Sequence, residues 1–157
     1  MKRGRGDKGD KPRRSAYDKA LALLARREHS RRELRDRLQR DGYEREEVAD
    51  ALVRLAEDGY QDDGRFTEMM VRSRVAGGYG PRRIRAELRT HGIDEAGIEH
   101  HLEQAGIDWQ TVARAQLRRR YGEHPCNEYA ERARRAQFLL RRGFDAATVQ
   151  DVLPTSD

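Results

Sequence analysis

The sequence predicts an all-α protein made of three tandem three-helix repeats, stacked into an elongated, curved, solenoid-like array. The first observation is an internal repeat: residues 30–43, 80–93 and 131–144 share one design, with a period of 50 and then 51 residues. The second is that apolar residues recur at helical spacing, while no stretch sustains strand alternation. The third is a low apolar content, 36% against 39% charged residues, which suits thin cores shared between stacked repeats.

Three columns of residues define the repeat, and each set ends a helix in the same way. The columns are Leu38, Leu88 and Leu139; Gly42, Gly92 and Gly143; and Tyr43, Ile93 and Phe144. A left-handed glycine just after a helix folds the next residue back onto that helix, which is the Schellman motif. The same spacing recurs at Leu55, Gly59 and Tyr60 and at Leu102, Gly106 and Ile107, so one rule predicts five helix ends.

The first repeat is predicted to follow a basic arm. Residues 1–16 hold seven Lys and Arg, two Asp and almost nothing to bury, which is typical of a disordered segment. Residues 17–61 then form helical repeat 1, whose first helix is expected to end near Glu28. Ser30 and Glu33 have the spacing of a capping box that opens the second helix, and the third helix follows Gly42.

Residues 62–107 form helical repeat 2 and start with two aspartates suited to a helix N-terminus. Phe66, Met69, Met70 and Ser73 lie at helical spacing, so the two methionines are interpreted as core residues. Pro81 opens the middle helix, where its missing N–H costs nothing. On that helix an arginine stripe is expected to face away from the core, and it consists of Arg82, Arg85 and Arg89.

Residues 108–153 form helical repeat 3. Trp109 has two interpretations, a base-stacking platform or a first-turn apolar staple into the neighbouring repeat, and the staple is favoured. Residues 122–125 make a longer connection before the last helix pair. Arg135 stands in the inward column that Leu34 and Ile84 fill in the other repeats, so the packing of this repeat is expected to differ.

Charge is sorted within the repeats rather than spread evenly. The arm carries the whole net charge of +5, and residues 17–157 hold equal numbers of basic and acidic residues. Within that neutral body the middle helices are basic and the third helices are acidic. A basic and an acidic edge are therefore expected on one protein, and such edges attract partners of complementary charge.

Composition excludes several kinds of site. Cys126 is the only cysteine, which rules out an intramolecular disulfide and the usual cysteine-based zinc sites. His100 and His101 are adjacent, so on a helix they point about 100° apart and do not share a metal easily. No catalytic string and no apolar run of membrane-spanning length is present. We therefore expect a cytoplasmic, monomeric non-enzyme with no catalytic residue, metal or cofactor and no membrane association.

One stretch resembles a known protein family. Residues 59–93 contain the pieces Gly-Tyr, Asp-Asp, Arg-Phe, Val-Arg-Ser-Arg, Gly-Tyr-Gly-Pro and Arg-Ile-x-x-Glu-Leu, which are similar to the RecX family of bacterial recombination regulators. The resemblance spans about residues 17–153. Gln61 departs from it, because the family usually has an apolar residue there.

The resemblance implies a function. Proteins of that family consist of three-helix repeats, bind the RecA recombinase and inhibit its strand exchange, ATPase and coprotease activities, in the filament groove or by blocking filament extension. Roles in DNA recombination, DNA repair and the SOS response follow from the same resemblance, and no catalytic residue is attributed to the family.

Basic residues are the candidate contacts to a RecA filament or to single- or double-stranded DNA. They are Arg32, Arg35, Arg72, Arg74, Arg82, Arg83, Arg85, Arg89, Arg132, Arg134, Arg135, Arg141 and Arg142. Two other functions stay open: a helical-repeat nucleic-acid-binding protein that acts independently of RecA, and an adaptor that holds another protein through its acidic third helices. The neutral body and the shortage of aromatic residues count against nucleic-acid binding alone.

Overall fold

The computed structural model describes residues 13–153, and this part of the chain contains helices and no strands. Along it nine helices follow one another: α1 (Ala16–Leu24), α2 (Arg31–Arg40), α3 (Arg45–Glu57), α4 (Asp63–Ala76), α5 (Pro81–Thr90), α6 (Glu95–Ala105), α7 (Trp109–Tyr121), α8 (Tyr129–Arg141) and α9 (Ala146–Val152). The predicted all-α repeat fold is confirmed.

Each run of three helices encloses its own hydrophobic core. We call α1–α3 the first unit, α4–α6 the second and α7–α9 the third. In every unit the first and third helices pack most closely, and the middle helix packs against both. The repeat columns lie inside these cores, because Leu38, Leu88 and Leu139 are fully buried. The apolar spacing that is read from the sequence therefore marks the buried face of every middle helix.

Short polar side chains begin five of the helices. Ser15, Ser30, Asp62, Asp94 and Asp108 each accept a hydrogen bond from a backbone N–H in the first turn that follows. The predicted capping box of α2 is only half formed. Ser30 Oγ accepts from the Glu33 N–H, but the Glu33 carboxylate contacts Arg27 and His29 instead of reaching back to the Ser30 backbone. A charged partner attracts a carboxylate more strongly than a neutral amide does.

The Schellman ends are observed at four of the five predicted positions. Tyr43, Ile93 and Phe144 donate their N–H groups back to the carbonyls of Leu38, Leu88 and Leu139, at 3.1, 3.2 and 3.1 Å, and Tyr60 does the same to Leu55. The glycine before each donor has a positive φ, between 75° and 96°. An unpredicted fifth example ends α4, where Tyr79 N–H donates to Arg74 O at 3.0 Å.

The helix end predicted at Gly106 is observed, but the described residues show no Schellman hydrogen bond from Ile107 to Leu102. Gly106 is itself the C-cap of α6 and is left-handed, with φ 58° and ψ 41°. At the other ends a right-handed residue or His91 separates the helix from its glycine. Here α6 continues to Ala105, directly before the glycine, and the Gly106 N–H donates to Glu103 O at 3.1 Å.

The start of the chain also differs from expectation. Most of the predicted disordered arm, residues 1–12, lies outside the described residues. Residues 13–16 belong to the first unit, because Ser15 caps α1 and Ala16 is fully buried. At its other end α1 stops at Leu24 instead of continuing to about Glu28, and His29 is buried against the second unit.

The first and second units meet where α5 ends and α2 begins. A 2.8 Å hydrogen bond joins His91 Nδ1, just after α5, to the Ser30 hydroxyl just before α2. The His91 ring also packs on Phe66, with the ring centroids 4.6 Å apart. Gln61, where the sequence departs from the apolar residue of its family, is buried here and donates to Asp63 Oδ1 and to the His29 carbonyl. We call this contact joint 1–2.

The second and third units meet in the same order, where α8 ends and α5 begins. The Gly80 N–H donates to Arg142 O at 2.8 Å, and the Arg82 N–H donates to Gly143 O at 2.9 Å. The donors at the start of α5 therefore satisfy acceptors just after α8, which a helix end leaves unpaired. A Cβ atom on Gly80 would lie 2.4 Å from the carbonyl carbon of Gly143, so this contact admits no side chain. We call it joint 2–3.

Trp109 contributes to the same boundary. Its ring packs against both the second and the third hydrophobic cores. The predicted staple is therefore confirmed. Together, the two joints connect the middle helices of the three units end to end, α8 to α5 and α5 to α2.

Candidate partner-binding surface

A strongly basic concave surface lies between α5 and the turn that joins α8 to α9. Its volume is about 690 Å³, and we call it the arginine cleft. Five arginines and a single carboxylate line it, namely Arg82, Arg83, Arg85, Arg89, Arg141 and Asp145, together with Ala86, Leu140 and Gly143. An excess of four positive charges around one concavity favours an anionic partner.

Helical spacing on α5 explains why these side chains converge. Ile84 and Leu88 are fully buried in the second core. Arg82, Arg85 and Arg89 lie three and four positions apart, so they occupy one neighbouring face, as the stripe predicted from the sequence requires. Arg141 comes from another unit, and joint 2–3 brings it opposite this face.

Part of the positive charge is neutralised inside the second unit. Arg85 Nη2 lies 2.9 Å from Glu99 Oε1, and Arg89 pairs with Glu95. The hydrogen bond from Arg89 holds the pKa of Glu95 below its usual value, and the same bond raises the pKa of Arg89. The expected separation into a basic and an acidic edge is thus incomplete, because α5 and α6 are neighbouring helices whose charged residues reach each other.

Arg85 is also less exposed than the predicted stripe requires. Its side chain is about one-third exposed, and its Nε is buried without a hydrogen-bond partner among residues 13–153. An unpaired buried donor is unfavourable, so a partner acceptor that reached it would gain a charge-assisted hydrogen bond.

Two arginines of the cleft have no acidic partner in the described part of the chain. Arg82 is exposed in the first turn of α5, and Arg141 is exposed in the last turn of α8. The ion pairs of this region use Arg83, Arg85 and Arg89 instead. Arg82 and Arg141 are therefore the side chains of the cleft that are most available to a ligand.

A second basic concavity of about 560 Å³ lies in the first unit, between α2 and α3. We call it the first-unit cleft. It is lined by Arg31, Arg35 and Arg45 with Asp36, Gln39, Val48, Ala49 and Leu52. Arg35, Asp36 and Gln39 are the repeat equivalents of Arg85, Ala86 and Arg89, so the same face of the middle helix lines both clefts. Arg35 lies 3.4 Å from Asp36. Arg32 lies instead over Gly92 at joint 1–2.

Three candidates from the third unit have structural roles instead of free guanidinium groups. Arg132 donates to the Leu153 carbonyl. Arg135 is only 11% exposed, lies 3.3 Å from Glu131 and donates to the His124 carbonyl, over the ring of Tyr121. Arg142 donates to the carbonyls of Gly77 and Gly78. These three arginines satisfy backbone acceptors near helix ends and in loops, and the expectation that they form an exposed basic edge is wrong.

Arg83 lines the arginine cleft, whereas Arg72, Arg74 and Arg134 lie outside it. Arg74 pairs with Glu87 at 2.8 Å, and Arg83 stacks on Tyr79 with its guanidinium carbon 4.2 Å from the ring centroid. Arg134 is 71% exposed near Glu131. Arg72 lines a separate groove between α4 and α6, next to His101. Among the thirteen candidates, the arginine cleft gathers Arg82, Arg83, Arg85, Arg89 and Arg141.

Sequence reasoning missed Arg31 and Arg45 in the first-unit cleft and Asp145 in the arginine cleft. Arg31 has Pro81 as its repeat equivalent, so the repeat alignment does not mark it. Arg45 comes from the first turn of α3, and only the packing of α3 against α2 brings it to the cleft.

The histidines form no metal-binding cluster in residues 13–153, where no group of three or more His, Cys, Asp or Glu side chains has suitable geometry. His100 and His101 contact each other edge to face, with centroids 5.2 Å apart. Burial at joint 1–2 lowers the pKa of His91. Over the same residues, no helix combines the length and apolarity that a bilayer crossing needs.

Comparison with known proteins matches every unit to one family. Models of the first, second and third three-helix domains of RecX match residues 16–55, 62–102 and 108–153. A protein named regulatory protein RecX from Halorhodospira halophila is 48% identical over 140 residues, which cover 89% of this chain and 87% of that protein. One of the same name from Xanthomonas campestris pv. campestris is 44% identical over 95% of this chain and 90% of its own length.

Solved structures agree on the fold. A crystal structure of regulatory protein RecX superimposes with a TM-score of 0.73 and 25% identity, over 87% of this chain and 70% of that one. A crystal structure of RecX from Lactobacillus salivarius gives a TM-score of 0.71 at 22% identity, over 88% and 92% of the two chains.

Proposed function

The chain belongs to the RecX family, and from this premise we propose that it is a non-enzymatic regulator of the RecA recombinase. It binds the RecA filament, in its groove or at its end, and inhibits the recombinase, ATPase and coprotease activities. The observation that supports this proposal best is the arginine cleft, in which Arg82 and Arg141 form no ion pair with residues 13–153.

A filament offers the same surface many times, and this protein repeats its basic concavities. The arginine cleft and the first-unit cleft use the same face of successive middle helices. Contacts that are weak individually become strong when one molecule makes several of them at once, because each later contact is intramolecular. Two clefts on one chain therefore suit a polymer of RecA subunits better than a single small ligand.

A second candidate is nucleic-acid binding without RecA. Five arginines around one cleft favour this candidate, because phosphate groups bind guanidinium in bidentate fashion. Aromatic side chains, on which bases of single strands stack, do not line either cleft. Filament binding is therefore the better-supported function.

The test replaces the two unpaired arginines in the variant Arg82→Glu/Arg141→Gln. Glutamate at the start of α5 is compatible with the helix dipole, and glutamine at the end of α8 avoids a negative charge there, so the fold is expected to persist. The concentration that half-inhibits RecA ATPase should rise at least about tenfold, since two charge-assisted contacts of about 1.5–3 kcal/mol each are lost. Circular dichroism should show an unchanged helical signal.

The matched control is Arg26→Glu/Arg119→Gln, which changes the net charge equally at exposed positions outside both clefts. It should inhibit RecA like the wild-type protein. Inhibition of RecA ATPase and binding to naked DNA are both measured over one range of salt concentrations, for the wild type and for the two variants. If the cleft variant inhibits RecA normally, this use of the cleft is wrong. If wild-type inhibition instead needs DNA binding with a steep salt dependence, the nucleic-acid candidate replaces the proposal.

A further inference from the structure

An arginine covers the glycine that follows each middle helix. At joint 1–2, Arg32 Cδ lies 3.6 Å from where a Cβ of Gly92 would be. At joint 2–3, the Cβ of Arg83 lies 2.6 Å from the corresponding position of Gly143. At the end of α2, Arg13 Nη2 lies 3.5 Å from that position of Gly42. The three middle-helix ends are thus covered in a similar way, although the three arginines come from different places.

Arg13 differs from Arg32 and Arg83 in the part of the chain from which it comes. Arg32 and Arg83 belong to the first turns of α2 and α5, so at each joint the covering residue comes from the middle helix of the preceding unit. No unit precedes the first one in the described chain. Its place at the end of α2 is taken by Arg13, three residues before α1.

Arg13 contacts this end in three ways. Its guanidinium lies 4.0 Å above the centroid of the Tyr43 ring, and it donates a hydrogen bond to the Asp41 carbonyl. It also lies beside Gly42. The Asp41 carbonyl belongs to the group that a helix C-terminus leaves unpaired, so the guanidinium supplies a missing donor. At joint 2–3 backbone N–H groups play that part for Arg142 and Gly143.

Neighbouring bonds hold the segment in position. The Tyr43 hydroxyl donates to the Arg14 carbonyl at 2.7 Å, and the Ala16 N–H donates to Glu47 Oε1 at 2.9 Å. The Asp18 N–H donates to Ser15 Oγ at 3.1 Å. Residues 13–15 therefore connect the end of α2 and the start of α3 to the first turn of α1.

We propose that residues 13–15 are the terminal cap of the repeat array. The end of α2 is a surface like those that form joints 1–2 and 2–3, and Arg13 of the same chain covers it. Repeat proteins expose an unsatisfied face at each end, and capping segments cover it. This inference is independent of RecA binding. It assigns a specific partner within the chain to an arginine of the predicted basic arm.

Native-state hydrogen exchange on the full chain tests the cap. In Arg13→Ala the amides of Asp41, Gly42 and Tyr43 should exchange about fivefold to tenfold faster, because a stacking contact and a hydrogen bond are lost from the end of α2. Amides in α5–α9 should be unaffected. Arg14→Ala is the matched control, since the Arg14 side chain has no hydrogen bond, ion pair or ring contact to the described residues.

Two further variants discriminate the contacts. Arg13→Lys keeps the charge but loses the planar guanidinium, so the exchange rate should fall between those of the wild type and Arg13→Ala. Tyr43→Phe removes the bond to the Arg14 carbonyl and should also accelerate exchange at the end of α2. Equal exchange rates in Arg13→Ala and Arg14→Ala would overturn the cap, and so would an effect spread evenly over all three units.

Discussion

At the scale of single residues, the arginines of this protein divide by what their guanidinium groups contact. Arg142 donates to two carbonyls at joint 2–3, whereas its neighbour Arg141 is exposed in the arginine cleft. The two are adjacent on a helix and therefore point about 100° apart. One binds within the chain and the other faces outward, although their residue type and local sequence are almost the same.

His91 makes a pH-dependent contribution at joint 1–2. Burial lowers its pKa, although the carboxylates of Glu33, Glu87 and Asp63 act in the opposite direction and the guanidinium of Arg27 in the same one. Because the neutral form is favoured in the folded protein, the unfolded chain takes up the proton first as the pH falls below about 6.5. Stability should therefore decrease between about pH 6.5 and the lowered pKa, and remain unaffected by this group above pH 7.

Urea denaturation of the wild type and of His91→Gln, at pH 7.5 and pH 5.5, measures this contribution. The loss of unfolding free energy on acidification should be smaller in His91→Gln, while the exposed control His100→Gln should behave like the wild type. A loss of the same size in all three proteins would contradict the role of His91.

At the scale of elements, the middle helices connect the units through their ends. The end of α8 docks on the start of α5, and the end of α5 docks on the start of α2. Joint 2–3 uses backbone hydrogen bonds and two glycines without room for a side chain. Joint 1–2 uses the side chains of Ser30, His91 and Phe66. Equivalent joints of the repeat are thus stabilised by backbone contacts in one case and by side-chain contacts in the other.

Arg142→Ala should destabilise the protein through joint 2–3. The substitution removes the donor to the Gly77 and Gly78 carbonyls and the stacking on Tyr79, whose ring centroid is 4.3 Å from the guanidinium carbon. We expect a loss of about 1–3 kcal/mol in unfolding free energy, as for charged hydrogen bonds.

The neighbouring substitution Arg141→Ala is the control for that measurement. It should change stability by no more than about 0.5 kcal/mol, as expected of an exposed position, while weakening RecA inhibition. Thermal and urea unfolding of both variants give the comparison. If Arg141→Ala proved as destabilising as Arg142→Ala, it would contradict the assignment of a structural role to Arg142 and of an exposed, partner-binding role to Arg141.

At the scale of the whole molecule, the three units have separate cores and connect through helix ends. Helix packing is concentrated within each unit, and the contacts between units include the joints, Trp109 and an ion pair between Glu28 and Arg65. A chain assembled in this way needs little apolar mass, in agreement with its low hydrophobic content. It also presents the two basic clefts at successive middle helices.

Small-angle scattering tests the elongated shape that the repeat pattern predicts. A compact domain of this length has a radius of gyration of about 15 Å. The protein should give a larger value that does not change with concentration, since three separate cores in line extend the mass distribution. A value close to about 15 Å would show that the units fold back on one another.

The sequence by itself determined the helices, their ends and their threefold repetition. Helix caps and Schellman ends depend on residues within about six positions of one another, so residues such as Leu38, Gly42 and Tyr43 specify their own conformation. The end of α6 at Gly106 is predicted by the same local rule, although the Schellman bond is absent there. The family could be recognised for the same reason, because its motifs follow these local patterns.

Only the tertiary structure decided which arginines remain available to a partner. Arg82 and Arg141 are 59 positions apart and converge on one cleft because joint 2–3 brings α5 to the end of α8. Arg135 donates to the His124 carbonyl, 11 positions away, and Arg142 donates to the Gly77 carbonyl, 65 positions away. A guanidinium group can reach several neighbours, so its role depends on what the fold places around it and not on the helix that carries it.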